Sequence, residues 1–201
     1  MIKAFIFDIG NVLLPFDTST ALRRLRQKSD ADSHASAIEP VKHAYESGGI
    51  GRAEFLMRMR ELLEYEGSEA EFVSAWEDIF TENMAMSELV RRLHPRYPLF
   101  LLSNTSDMHV DHMFRTYPVF GLFKDAVYSY RVKCFKPERR IYEIAIEQFG
   151  VDARETVFID DLPQNIEAAL EVGLRAVHYD YHRHGDLLQT LAAIGVDPTG
   201  L

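Results

Sequence analysis

The sequence predicts an α/β fold: a Rossmann-like core built on a parallel sheet, interrupted after its first strand by a helical bundle. Two observations carry this reading. Ala4 to Phe7, Leu99 to Leu102 and Val157 to Ile159 are short blocks, too apolar for half-exposed strands and too short for helices, as expected of strands buried on both faces. Between the first two lie roughly seventy residues of helical periodicity, whereas from Leu99 onward strands and helices alternate, which calls for parallel pairing with right-handed crossovers.

Taken in order, the first block ends at Asp8 and is followed by Gly10 and Asn11. After Pro15, one of Thr18, Ser19 or Thr20 caps a helix with Leu22 and Leu25 on one face and Arg23, Arg24 and Arg26 on the other. A second helix is expected over Pro40 to Ser47, broken by Gly48, Gly49 and Gly51. Phe55, Leu56, Met59, Leu62 and Leu63 form the stripe of a third, ended by Gly67, and Ser68 caps a fourth bearing Phe72, Val73, Trp76, Ile79 and Phe80. The two stripes are expected to pack against each other, with Trp76 in their core. Ser87 to His94 is a further helix, stopped by Pro95.

Leu99 to Leu102 runs into Ser103, Asn104 and Thr105, and Ser106 or Asp107 caps the next helix, whose free N–H groups suit an anion. Ala126 to Tyr130 is a third strand. Pro137 opens a helix carrying Ile141, Ile144, Ala145 and Phe149. Val157 to Ile159 ends in Asp160 and Asp161; Gln164 to Val172 is helical, Gly173 closes it, and Leu174 to Tyr179 is the last strand. The inferred division is a core of residues 1–15 and 86–201 with an insertion at 16–85.

Composition narrows the function. The chain has 201 residues and is 47% hydrophobic, enough for a core in one domain plus an insertion. With 22 Lys plus Arg against 31 Asp plus Glu, the net charge of −9 repels a polyanion and argues against nucleic acid. No stretch approaches the ~20 apolar residues of a membrane span, and the apolar run after Met1 is too short for a signal peptide. Cys134, the single cysteine, makes neither an internal disulfide nor a Cys-rich metal cage, and the cytoplasm is the expected setting.

A parallel sheet brings the carboxyl ends of its strands to one edge, where ligands bind. Asp8, Ser103 with Asn104, and Asp160 with Asp161 all fall there, and Lys136 arrives between the second and third. Carboxylates gathered at a crevice need a cation, and oxygen ligands favour magnesium over zinc. Such a set suits phosphoryl transfer, which asks mainly for positioning and charge neutralisation. The imidazoles give weaker signals: His109 and His112 stand three apart on a helix without a third ligand, and His178, His182 and His184 read as a solvated loop.

Phe7-Asp8-Ile9-Gly10-Asn11-Val12, Leu102-Ser103-Asn104-Thr105, Lys136-Pro137 and Phe158-Ile159-Asp160-Asp161 resemble, in order, the four motifs of the haloacid dehalogenase-like hydrolase superfamily, and the inserted helices resemble its cap. The resemblance implies a magnesium-dependent phosphatase acting on a small phosphorylated metabolite. Asp8 would be the nucleophile that becomes an aspartyl phosphate, Ser103 and Asn104 would hold the phosphoryl group, and Lys136 would steady the intermediate. Asp161 would be the principal Mg²⁺ ligand, with Asp8 and the Gly10 carbonyl beside it and Asp160 and Asn165 further out. The chain departs from the usual pattern at Gly10, where phosphatases of the superfamily carry a second Asp as general acid and base. A subgroup resembling sugar-phosphate phosphatases shares Asp-x-Gly-Asn at this point, and Asp17 is a candidate substitute donor. The competing readings are a metal-independent haloacid dehalogenase and a non-catalytic phosphate- or metal-binding module; the working unit is expected to be a monomer or homodimer.

Overall fold

The computed structural model describes residues 1–25 and 35–198. Five strands, β1 (Ala4–Phe7), β2 (Leu99–Ser103), β3 (Asp125–Tyr128), β4 (Thr156–Asp160) and β5 (Arg175–His178), form one sheet in the order β3-β2-β1-β4-β5, every pair parallel. The period-two alternation of a strand sends Phe5, Phe7, Leu99, Leu101, Val157 and Ile159 to one face and Ala4, Ile6, Phe100, Leu102 and Phe158 to the other. Helices cover both. On the first face lie α5 (Met84–Leu93), α6 (Asp107–Thr116) and α10 (His184–Ala193); on the second, α8 (Arg139–Phe149) and α9 (Pro163–Glu171). This burial on two sides is why the strands read as unbroken apolar runs.

Among the described residues, four helices separate β1 from α5: α1 (Thr18–Leu25), α2 (Ala35–Glu46), α3 (Arg52–Leu62) and α4 (Glu69–Glu77). They close on an apolar cluster shared with Met108 of α6, in which Tyr45 stacks on Phe55 with centroids 4.3 Å apart and Trp76 lies against Phe55 and Phe72. The expected core position of Trp76 is therefore observed. Ser68 forms a reciprocal capping box with Glu71, as the sequence pattern requires.

Some boundaries differ from expectation. α2 starts five residues before Pro40, which sits inside the helix and forgoes one backbone hydrogen bond there. Ile79 and Phe80 lie beyond α4, and Phe80 forms an isolated bridge with Phe16 instead. β3 stops at Tyr128 because its partner ends at Ser103; Ser129 and Tyr130 enter a short helix, α7 (Ser129–Val132). The loop expected after the last strand is a 3₁₀ turn leading into α10, whose Leu187 and Leu191, one turn apart, are buried. Arg26, placed by its spacing on the exposed face of the first helix, lies outside the described residues. Among the described residues no helix is long and apolar enough to cross a membrane.

The C-terminal end of α2 docks tightly on the core. The Tyr45 hydroxyl meets the Asp107 carboxylate, the Glu46 carbonyl accepts a hydrogen bond from Ser129 Oγ at 2.5 Å, and a Cβ at Gly48, whose φ is 70°, would collide with the Tyr130 carbonyl. Gly48→Ala is therefore expected to destabilise the protein by about 1–3 kcal/mol, through left-handed strain and the collision together. Gly150→Ala, at a φ of 64° with open space around it, should cost only the backbone contribution, about 1 kcal/mol. Urea denaturation of both variants checks this, and equal losses would contradict the docking argument.

Candidate active site

Strand order reverses between β1 and β4, since β2 and β3 extend from one side of β1 while β4 and β5 lie on the other. Such a switch point opens a crevice at the carboxyl ends of the two strands. Phe7 pairs with Ile159 across it, and the Asp8 N–H donates to the Ile159 carbonyl at 2.9 Å, so the residue after β1 faces the end of β4. Asp8, Asp160 and Asp161 consequently offer carboxylate oxygens within 4.8 Å of one another.

Lys136 answers part of this charge. Its Nζ lies 2.8 Å from Asp8 Oδ1 and 2.6 Å from Asp160 Oδ2, with all three groups buried. Burial works against the ammonium, but the two carboxylates outweigh it and hold its pKa above the ordinary value. The Asn104 side chain fixes the lysine from behind: Oδ1 accepts the Lys136 N–H at 2.8 Å, and Nδ2 donates to the Lys136 carbonyl at 3.0 Å. An amide expected to hold phosphate is thus spent largely on placing Lys136, with one N–H of Nδ2 left over. Ser103 is buried beside it on the same cavity.

The two acids of β4 divide their work. Asp160 is fully buried; its Oδ1 accepts from the Leu162 N–H and from Asn165 Nδ2, both at 2.9 Å, while Oδ2 takes Lys136. Asp161 receives Asn11 Nδ2 on Oδ2 at 3.0 Å and borders the cavity. Asn11, at a φ of 52°, adopts the left-handed conformation that Asn tolerates better than most residues. The first motif contains Asn11, but nothing in the sequence pattern assigned it this task; an Asn directly after Gly, at the end of a buried strand, was the available signal.

Burial pushes the Asp8 carboxyl up to about 7; Lys136 pulls it down, and the charges of Asp160 and Asp161 add to the rise. Burial likewise raises Asp161, against the hydrogen bond from Asn11. Three carboxylates beside one ammonium leave negative charge uncompensated in a buried place. An all-oxygen donor set of this kind fits a hard divalent cation, and Mg²⁺ in particular, which takes few protein carboxylates. Asp8 and Asp161 could hold it together with the Gly10 carbonyl.

Above the carboxylates lies a cavity of about 320 Å³, lined from the core by Asp8, Gly10, Asn11, Ser103, Asn104 and Lys136 and from α2 by Glu39, Lys42, His43 and Glu46. Its size suits a small metabolite. Phe16 forms part of the wall, and its ring edge stands 3.0 Å from where a Cβ on Gly10 would be, so the ring covers the position of the missing second acid. Asp17 does not border the cavity. It caps α1 through Ser19 and Thr20, and those hydrogen bonds hold its carboxyl below the usual range, which makes it a poor substitute donor.

His109, His112, His178 and His184 take structural places. His109 is buried and its Nε2 donates to the Trp76 carbonyl at 3.3 Å; burial pushes it down to about 4, so it is neutral. His112 pairs with Glu77, His178 Nε2 meets the Asp161 carbonyl at 2.8 Å, and His184 Nδ1 meets the Tyr179 hydroxyl. Cys134 is buried and contacts Glu138.

Comparison with known proteins agrees with this geometry. A D-ribitol-5-phosphate phosphatase of Bacteroides thetaiotaomicron is 27% identical over 86% of this chain and 89% of its own length. The sesquiterpene phosphatase astK of Aspergillus oryzae is 26% identical over 88% and 89%. Among solved structures, a HAD family enzyme of Bacteroides thetaiotaomicron in complex with magnesium and inorganic phosphate superposes with a TM-score of 0.78 at 27% identity, covering 90% of this chain and 96% of that one. The family model for haloacid dehalogenase-like hydrolases matches residues 2–173. The chain therefore belongs to the haloacid dehalogenase-like hydrolase family.

Proposed function

We propose that the protein is a magnesium-dependent phosphatase of small phosphomonoesters, a sugar or polyol phosphate being the favoured class, and that it works through an aspartyl phosphate on Asp8. The observation that carries this reading is the meeting of Asp8 with Lys136 and Asp161 at one end of a cavity. The phosphatases and the magnesium and phosphate complex among its relatives support it. The acidic cluster disfavours the metal-independent dehalogenase, because three carboxylates converge where, among the described residues, the Lys136 ammonium pairs with two of them.

In this reading Asp8 attacks phosphorus, and Lys136 holds the attacking carboxylate and balances charge on the transferring group. Asp160 is a brace: two hydrogen bonds and the lysine engage both its oxygens. Asn165 steadies Asp160, and Asn104 steadies Lys136 while Ser103 borders the phosphoryl position. When bound, Mg²⁺ offsets the negative charge of the phosphoryl oxygens and the carboxylates. Residues 16–85 act as a cap, with α2 over the cavity excluding water and choosing the alcohol. The cavity is lined by this chain's own residues, which suits either a monomer or a homodimer, and the cytoplasm is the setting we assign.

Phosphate release from a panel of sugar and polyol phosphates, ribitol 5-phosphate among them, should require Mg²⁺ and fall by on the order of 10⁴-fold or more in Asp8→Asn. Retained turnover in that variant, or halide release from haloacids in chelator, would overturn the reading. Binding can be read separately by thermal denaturation. Mg²⁺ at about 100 times its Kd should stabilise the wild type by about 2.7 kcal/mol; Asp161→Asn should lose most of that shift, and an unchanged shift would remove Asp161 from the metal site.

A further inference from the structure

We propose that Glu46, at the C-terminal end of α2, is the general acid and base of the reaction, donating a proton to the leaving-group oxygen and then taking one from the attacking water. The assignment rests on the phosphatase reading above. An alkyl phosphate expels a strongly basic alkoxide unless a proton reaches the bridging oxygen as the P–O bond breaks. Gly10 carries no proton to give, and the Phe16 ring covers the space where a side chain at that position would stand.

Among the described residues, the titratable groups on the cavity are Asp8, Asp161, Lys136 and His109 from the core and Glu39, Lys42, His43 and Glu46 from α2. Asp8 is the nucleophile and Asp161 belongs with the cation. Lys136 is locked between two carboxylates, and His109 commits its Nε2 proton to the Trp76 carbonyl. Glu39 and His43 are exposed, and Lys42 pairs with Glu39 at 3.5 Å. Glu46 is partly buried, and among the described residues no hydrogen bond or ion pair occupies its carboxylate.

The backbone at this position is firmly anchored. Ser129 Oγ donates to the Glu46 carbonyl at 2.5 Å and receives the Thr105 N–H at 3.0 Å, so one hydroxyl ties residue 46 to the segment that follows Ser103 and Asn104. The Tyr45 contact with Asp107 and the close approach of Gly48 to Tyr130 hold the residues on either side. A proton donor needs a fixed place on its cavity, and Glu46 lines the cavity of Asp8 from an anchored backbone. Burial raises the Glu46 carboxyl to about 7, with Lys42 opposing and Glu39 adding to the rise, which suits a group that both gives and takes a proton near neutrality.

In the first step an Asp8 oxygen forms a bond to phosphorus while the bond from phosphorus to the bridging oxygen breaks; the bridging oxygen keeps the electron pair and takes the Glu46 proton, leaving as the alcohol. Water then attacks phosphorus and gives its proton to the Glu46 carboxylate. The acyl-phosphate P–O bond breaks, releasing inorganic phosphate and the Asp8 carboxylate.

The test compares leaving groups on the full-length protein with Mg²⁺, using ribitol 5-phosphate and 2,4-dinitrophenyl phosphate, whose phenolate leaves without help. Because kcat/KM reports transfer to Asp8, Glu46→Gln should lower it by about 10²-fold for the polyol phosphate and by less than about 3-fold for the aryl phosphate. Glu46→Asp, which keeps the acid, should retain more polyol-phosphate activity than Glu46→Gln, and Glu39→Gln should show no such split. Equal losses on both substrates, or no loss on the polyol phosphate, would overturn the assignment. If the wild type hydrolyses neither substrate nor any other phosphomonoester, the phosphatase reading itself falls, and this assignment with it.

Discussion

Lys136 stands between two buried carboxylates, 2.8 Å from Asp8 and 2.6 Å from Asp160, and much of the core serves to keep it there. Removing such charges from water is costly, and their mutual attraction compensates only when geometry is good and the remaining lone pairs are satisfied. The fold meets both conditions at Asp160 and Lys136. Pairing of β1 with β4 sets the two acids side by side, the Asn104 amide clasps the lysine backbone, and the start of α9 with Asn165 fills Asp160. What stays unbalanced is the charge at Asp8 and Asp161, on the cavity side, where a cation and a phosphoryl group would act.

The helices between β1 and α5 gather around an apolar cluster that takes in Met108 of α6. They meet the core through Met108 and the stack of Trp76 on His109, and through polar contacts at the end of α2. Tyr45, the Glu46 carbonyl and Gly48 meet Asp107, Ser129 and Tyr130, all on segments that follow β2 or β3. This gives the end of α2 a fixed height above Ser103 and Asn104, while its earlier turns, with Glu39 and His43 exposed, reach the rim. One helix therefore offers both a backbone anchored beside the cavity at Glu46 and exposed groups on its earlier turns.

The strands and the acids at their ends were legible because burial on both faces leaves no polar residue within a strand, so each Asp marks where the sheet stops. The helical stripes at Phe55 and Phe72 were legible for the same reason, through their period. Less could be read where long-range partners decide. Tyr130 looks like strand but has no neighbour past Ser103, and the hold of Asn104 on the Lys136 backbone, 32 residues on, leaves no mark in the sequence. Asp17 suited two roles by sequence, and only its hydrogen bonds to Ser19 and Thr20 choose the cap. Glu46 gave no local signal, since its environment is made by folding α2 over a crevice whose residues lie far away in the chain.

In the proposed reaction, phosphorus is handed to a carboxylate of the protein before it meets water. The stereochemical course of phosphate release tests this most directly: a phosphomonoester made chiral at phosphorus with oxygen isotopes is hydrolysed in isotopic water, and the product configuration is read. Two in-line displacements, first by Asp8 and then by water, predict net retention. Inversion would mean that water attacks the substrate directly, and the covalent account of Asp8 would be wrong.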